Sequence, residues 1–221
     1  MATLFISDLH LEPGRPEIGE QFLSFLEGPA READALYILG DLFEAWIGDD
    51  DPSPYYAQMK TAIRAVTDSG VPVYFMHGNR DFMIGGAFAA EAGVTLLNDP
   101  HPLELHGESV LLSHGDALCT DDIEYQQVRA MTRNPDWQAM MMAKSVDERI
   151  AFAKQAREQS LARNESMTEE MADVNQAAVE QIIRESGVDI PVSYTHLTLP
   201  TIPRWGRWRW GAGGGCGGGG G

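Results

Sequence analysis

The chain has 221 residues, with 16 basic against 33 acidic side chains and a formal net charge of −17. That balance excludes nucleic acid or an anionic membrane as a partner held by broad charge, but admits an anionic substrate where metal cations or a few placed arginines bring the positive charge. The length suits one domain of roughly 100–200 residues.

In chain order, "TLFISDLHL" opens as a short apolar, β-rich run over Leu4–Ile6 that stops at polar residues. Phe22, Phe25 and Leu26 share a face of a helix predicted over about Ile18–Glu27. "ALYILGDLFE" is a second apolar run ended by Gly-Asp, and "YYAQMKTAIRAVTDSG" is an amphipathic helix closed by Gly70. "VPVYFMHGNRD" repeats the pattern of strand and glycine-bearing loop, and "LELHGESVLLSHGD" predicts a hairpin turning near Gly107. Strands alternating with helices predict an α/β sheet whose strand-end loops gather into one site. Residues 122–187 hold almost no strand signal; they predict a helical insertion and a return helix ending at Gly187, before a last strand begins at "VDI". No charged-then-apolar leader opens the chain and no apolar run reaches 18 residues, so export and spanning are not expected. Cys119 is the one cysteine before residue 192, which fits a reducing compartment.

Four strand-end loops carry Asp8-x-His10, Gly40-Asp41-x-x-Glu44, Gly78-Asn79-Arg80-Asp81 and His114-Gly115-Asp116. Taken singly, each has a plain structural reading as a turn, a cap or a satisfied core histidine. Taken in order, each just past an apolar strand, they read as one ligand set. Carboxylate, imidazole and amide oxygen suit Mn²⁺, Mg²⁺ or Fe²⁺, and no thiolate is available for a closed zinc site. A bridging carboxylate can hold two such ions about 3.5–4 Å apart, the usual arrangement for phosphoester hydrolysis.

These loops resemble the first four elements of the calcineurin-like metallophosphoesterase pattern D-x-H, G-D-x-x-[DE], G-N-[HR]-[DE], a lone His and G-H-x-H. "ISDLHL", "DALYILGDLFEAWIGDDDP", "HGNRDF", "HGDALCTDD" and "ADVNQAAV" are similar, more narrowly, to the UDP-2,3-diacylglucosamine hydrolases of lipid A biosynthesis, from Met1 to about Ile190. The resemblance implies an α/β metallophosphoesterase sandwich with a helical lid at about 122–170. It implies that Asp8, His10 and Asp41 bind one Mn²⁺ while Asp41, Asn79 and His114 bind a second, and that these five residues are catalytic. The lid would receive the acyl chains, with Trp137, Met140, Met141, Met142 and Phe152 as candidate lining or as ordinary helix packing. Asn79, Arg80, Asp122, Ser160 and Asn164 would contact substrate, as would Met167, where the family often has lysine. Arg80 stands where many relatives carry a histidine. It cannot give up its proton near neutral pH but pairs well with phosphate oxygens, which fits a pyrophosphate link whose phosphate leaving group needs little acid help. The alternative for Arg80 is a simple pair with Asp81. His77, His101 and His106 match no motif and are read as structural.

Residues 192–221 differ in kind: they hold three arginines, no acids, three of the five tryptophans and ten of the 23 glycines. Without them, residues 1–191 carry 13 basic against 33 acidic groups. The family's G-H-x-H should fall four to seven residues after Ile190, where the chain reads "SYTH", with His196 one position out of register. "VSYTHLTLPT" resembles the translation of a transposon-end adaptor used in sequencing libraries, and "RWGRWRWGAGGGCGGGGG" is what guanine-rich sequence would encode. Residues 192–221 are therefore expected to be non-native and residues 1–191 to be a domain C-terminally truncated before its last motif, retaining five protein ligands of seven.

The expectation is a hydrolase that splits UDP-2,3-diacylglucosamine into UMP and 2,3-diacylglucosamine 1-phosphate (lipid X) with two Mn²⁺ and a metal-held hydroxide. It would work in the cytoplasm of a Gram-negative bacterium, touching the inner membrane peripherally and binding no nucleic acid. The alternatives are a general phosphodiesterase of the same superfamily and a metal- or lipid-binding chain without turnover.

Overall fold

The computed structural model describes residues 2–164, 174–187 and 190–193, with side chains described for 2–160 and 174–187. Strands β1 (Thr3–Ile6), β2 (Ala35–Leu39), β3 (Val73–Met76) and β4 (Thr95–Leu97) form a parallel sheet in that order. Strands β5 (His101–Leu105), β6 (Glu108–Ser113) and β7 (Ile190–Ser193) form a second sheet, with β5 antiparallel and β7 parallel to β6. Helices α1 (Pro16–Glu27), α2 (Pro54–Asp68) and α3 (Gly86–Ala92) cover one face of the first sheet.

The sequence of β2 explains the layering. Leu36 and Ile38 pack with Phe22, Ile63 and Phe88 in the helix-side core. Tyr37 and Leu39, pointing the other way, pack with Met76, Val110 and Leu112 between the sheets. A strand buried on both faces reads as a continuous apolar run rather than an alternating one, as "ALYIL" does. The expected α/β sandwich is thus what the chain forms.

The hairpin turns at His106-Gly107, both at positive φ, and the return helix α7 (Gln176–Ser186) ends on left-handed Gly187, as the sequence predicts. Two elements were not foreseen, α3 and β4. The N-terminus of α3 is capped from afar, by the Asp49 carboxylate accepting from Gly85 N (3.0 Å) and Phe88 N (2.9 Å). A cap supplied 36 residues upstream leaves no local signal.

The insertion is three helices, α4 (Ile123–Thr132), α5 (Pro135–Met142) and α6 (Val146–Asn164). Arg149 of α6, 2% exposed, ties it to the body, donating to Ile47 O (2.6 Å) and pairing with Asp50. The run "WIGDDD" thus supplies the cap of α3 and the anchor of α6. Among the described residues no helix is long and apolar enough to cross a membrane.

Candidate metal centre

The C-terminal ends of β1, β2, β3 and β6 release their loops toward one place. The first two loops run side by side: Asp8 N donates to Gly40 O (3.1 Å), His10 N to Asp41 O (3.0 Å) and Leu11 N to Leu42 O (2.8 Å). Asp8, His10 and Asp41 all sit at positive φ, 57°, 49° and 52°. Such backbone costs about 1–3 kcal/mol per residue and persists where surrounding structure enforces it, typically at functional sites. Here the paired loops enforce it, aiming three donor side chains at one point.

Glycines let the loops close. A Cβ on Gly40 (φ +90°) would lie 2.6 Å from the Gly78 backbone and 2.7 Å from His114 Nδ1; one on Gly78 would strike the Asp41 carboxylate. The Gly-Asp and Gly-Asn pairs of the sequence are therefore the points where the β2, β3 and β6 loops touch.

Asp41, fully buried, is the centre. Ligand atoms of Asp8, His10 and Asp41 lie within 4.8 Å of one another. On the other side, His114 Nε2 is 3.9 Å from Asp41 Oδ1, and the amide end of Asn79 lies 2.9 Å from the same oxygen. His114 Nδ1 donates to Leu39 O at 2.9 Å, so in the neutral ring Nε2 carries no proton and can act as a donor atom. The set fits divalent cations. Asp8 Oδ1 is buried with no hydrogen-bond partner, and one acid, two imidazoles and an amide converge around the Asp41 carboxylate. A cation would satisfy them together.

Glu44, 7% exposed, presents Oε2 3.4 Å from His10 Nδ1 and 3.5 Å from Arg15 Nη2, and also pairs with Arg157 of the insertion. The sequence marks Glu44 in its motif without giving it this orienting place. Asp81 is buried and staples the loops, accepting from Leu42 N and Gly78 N, both at 2.8 Å. Its carboxylate is thus committed to backbone, and the simple pair with Arg80 does not form. Arg80 instead has a buried Nε without a hydrogen-bond partner, beside a cavity of about 510 Å³.

That cavity runs from Asn79 and Arg80 under the insertion. Phe82, Trp137, Met141 and Phe152 line it, and so does Ser160. Met140 and Met142 do not line it; they are exposed, and Met142 Sδ accepts from Arg149 at 3.3 Å. Asp122 is buried as the N-cap of α4, accepting from Tyr125 N at 2.9 Å, and is not among the cavity's lining residues. The backbone of Asn164 ends α6, whereas its side chain, Met167 and His196 lie outside the described residues. His77, bonded through Nε2 to Ile84 O at 2.7 Å, holds its own loop.

Burial pushes the Asp41 carboxyl up to about 6, with neighbouring Asp81 adding to the rise and His114 and His10 opposing it. Burial also lowers His10. A cation takes the ionised carboxylate, so protons compete with it below about pH 6. Affinity for a divalent cation is expected to rise as pH increases through 6, by about tenfold per unit on the acid side if one proton is displaced. Calorimetric titration between pH 5 and 7.5 checks this; an affinity flat across that range would show that Asp41 is not a ligand.

A family model described as calcineurin-like phosphoesterase matches residues 1–212. The chain is 53% identical over 204 residues to a UDP-2,3-diacylglucosamine hydrolase of Stenotrophomonas maltophilia (strain R551-3), covering 89% of this chain and 82% of that one. It is 50% identical over 197 residues to the protein of that name from Chromohalobacter salexigens, covering 89% and 80%. Among solved structures, a Pseudomonas putida nuclease aligns over 51% of this chain and 53% of its own, at 22% identity and a TM-score of 0.40.

Proposed function

The chain belongs to the calcineurin-like phosphoesterase family, and on that ground we propose that it hydrolyses the pyrophosphate bond of UDP-2,3-diacylglucosamine in lipid A biosynthesis, with Asp8, His10, Asp41, Asn79 and His114 holding two Mn²⁺ ions. The observation that carries this reading is a single juxtaposition. A five-residue donor cluster around Asp41 opens, through Asn79 and Arg80, into a cavity walled by apolar side chains of the insertion. That geometry suits a molecule with a pyrophosphate at one end and acyl chains at the other.

When bound, the ions supply positive charge to the pyrophosphate and activate water at neutral pH. Water adds to the α-phosphorus as its bond to the bridging oxygen breaks, giving UMP and 2,3-diacylglucosamine 1-phosphate. Asp41 ties the two halves of the cluster together, and the Leu39 carbonyl fixes the orientation of His114. Arg80, with donors not engaged by Asp81, meets a non-bridging phosphate oxygen. Ser160 and Asn164 bind the polar part of the substrate, Met167 takes no charge on phosphate, and Asp122 acts by shaping the start of α4. Trp137, Met141 and Phe152 receive acyl chain. Exposed Ile123, Val128, Met131, Met140 and Ile150 on the same insertion support peripheral contact with the inner membrane, from the cytoplasmic side. Residues 192–221 are proposed to be foreign to this domain.

Arg80→Ala is expected to lower turnover of the lipid nucleotide roughly a hundredfold while leaving metal content unchanged, since an electrostatic donor is worth about 2.7–4 kcal/mol at such a site. Kinetics beside metal analysis decides it. Loss of bound metal in that variant would move Arg80 from the substrate to the ligand cluster.

A further inference from the structure

We propose that Arg133, on the insertion, is a positioning residue that sets the relative placement of Asn79 and His114; the inference rests on the metal reading above and deepens it.

Tyr125, Arg129 and Arg133 fall four residues apart along α4 and its C-cap, hence on one face. All three converge on one carboxylate, Asp116, which is 1% exposed and lies two residues after His114. Tyr125 OH donates to Asp116 Oδ2 at 2.7 Å, Arg129 Nε lies 3.0 Å from it and Arg133 Nη2 3.7 Å. The same Nη2 of Arg133 donates to Gly78 O at 2.9 Å and to His77 O at 3.4 Å.

Gly78 O belongs to the peptide that enters Asn79. Pinning that carbonyl fixes the peptide plane, and with it the direction in which the Asn79 side chain leaves the loop. One guanidinium nitrogen thus reaches both ligand-bearing loops, the one ending β3 and the one ending β6. Asn79 reaches both oxygens of Asp41, including the one that His114 faces, so its separation from His114 decides whether the two can share a cation with Asp41. A lysine offers a flexible ammonium in place of the rigid guanidinium plane, so it is expected to hold the two partners less firmly.

Ordinary anchoring of the insertion is the competing account. Arg149 performs that role elsewhere, gripping Ile47 O and Asp50, six and nine residues past Asp41 on the connection after β2, without touching a ligand residue or the peptide beside one. It therefore serves as the control.

The test is Mn²⁺ titration of the 221-residue chain, reading free Mn²⁺ by its EPR signal, with metal-free melting followed by circular dichroism. Arg133→Met is expected to raise the Mn²⁺ Kd about tenfold or more, in the range seen when outer partners of metal ligands are removed. Arg133→Lys is expected to raise it by less. Arg149→Met is expected to lower the melting temperature and leave the Mn²⁺ Kd within about twofold of the parent. A parent-like Kd in Arg133→Met, or in Arg133→Lys should the first variant fail to fold, overturns the inference. So does an Arg149→Met variant that weakens Mn²⁺ as much as Arg133→Met, because stability alone would then explain both. A parent chain that binds no Mn²⁺ removes the metal reading itself, and this inference with it.

Discussion

Asp41→Ala is expected to reduce hydrolysis of UDP-2,3-diacylglucosamine by roughly a thousandfold or more, the equivalent of about 4 kcal/mol of lost transition-state stabilisation. Asp41 lies between the Asp8–His10 side and the Asn79–His114 side of the cluster, and no second carboxylate occupies that middle position among the described residues. Its removal separates two sets of donors that otherwise share one buried group. The stability of the metal-free protein is expected to move the other way. Burial raises the Asp41 carboxyl from its ordinary value to about 6, so the stability it contributes is present at low pH and is lost as pH rises through 6. Above that pH an ionised, buried carboxylate weakens the metal-free fold. Asp41→Asn, which keeps the shape without the charge, is therefore expected to melt no lower than the parent at pH 8 without metal, while being as inactive as the alanine variant. Near-normal turnover in either variant would show that the two sides of the cluster do not depend on a shared carboxylate.

The second large effect concerns the far end of the chain. A chimera in which residues 1–190 precede a family C-terminus bearing G-H-x-H is expected to exceed the 221-residue chain in turnover by about a hundredfold or more. Five donors account for Asp8, His10, Asp41, Asn79 and His114, whereas the family pattern supplies two further imidazoles that "SYTH" does not reproduce. Water replaces missing outer ligands, so the shorter set is expected to bind a divalent cation still, but more weakly. Positioning is most of what a protein contributes to phosphoryl transfer, and small misplacements cost about a hundredfold. β7 already pairs with β6 through Ser193, so the register needed to present a following loop beside His114 exists. Equal turnover in the two proteins would mean that residues 191–221 complete the coordination themselves.

Much of the site was legible because its signals are local. Each of the four loops follows its own apolar strand, and the glycines at 40 and 78 stand where loops must touch. The α/β sheet could be inferred from strands alternating with helices, and the sandwich from the family resemblance of the loop motifs. Features that depend on distant partners were not legible. Helix α3 is capped by Asp49. Asp116 gathers three side chains from α4, and Arg133 reaches back 55 residues to Gly78 O. The outward-facing Met140 and Met142 show the same limit. Composition marked the run "AMMM" as apolar, but only the packing of α5 against α6 decides which of its side chains meets the cavity.

The most direct measurement is UMP release from UDP-2,3-diacylglucosamine by the completed chimera, stripped of metal and then resupplied with Mn²⁺, beside bis-p-nitrophenyl phosphate as a small phosphodiester lacking both uridine and acyl chains. The expected result is no release after stripping, recovery on adding Mn²⁺, and a kcat/KM for the lipid nucleotide at least about a thousandfold above that for the small diester, since the cavity beside Arg80 contributes only to the former. Release that persists in the stripped protein, or equal kcat/KM for the two compounds, would contradict a metal-dependent site shaped for a lipid-linked pyrophosphate.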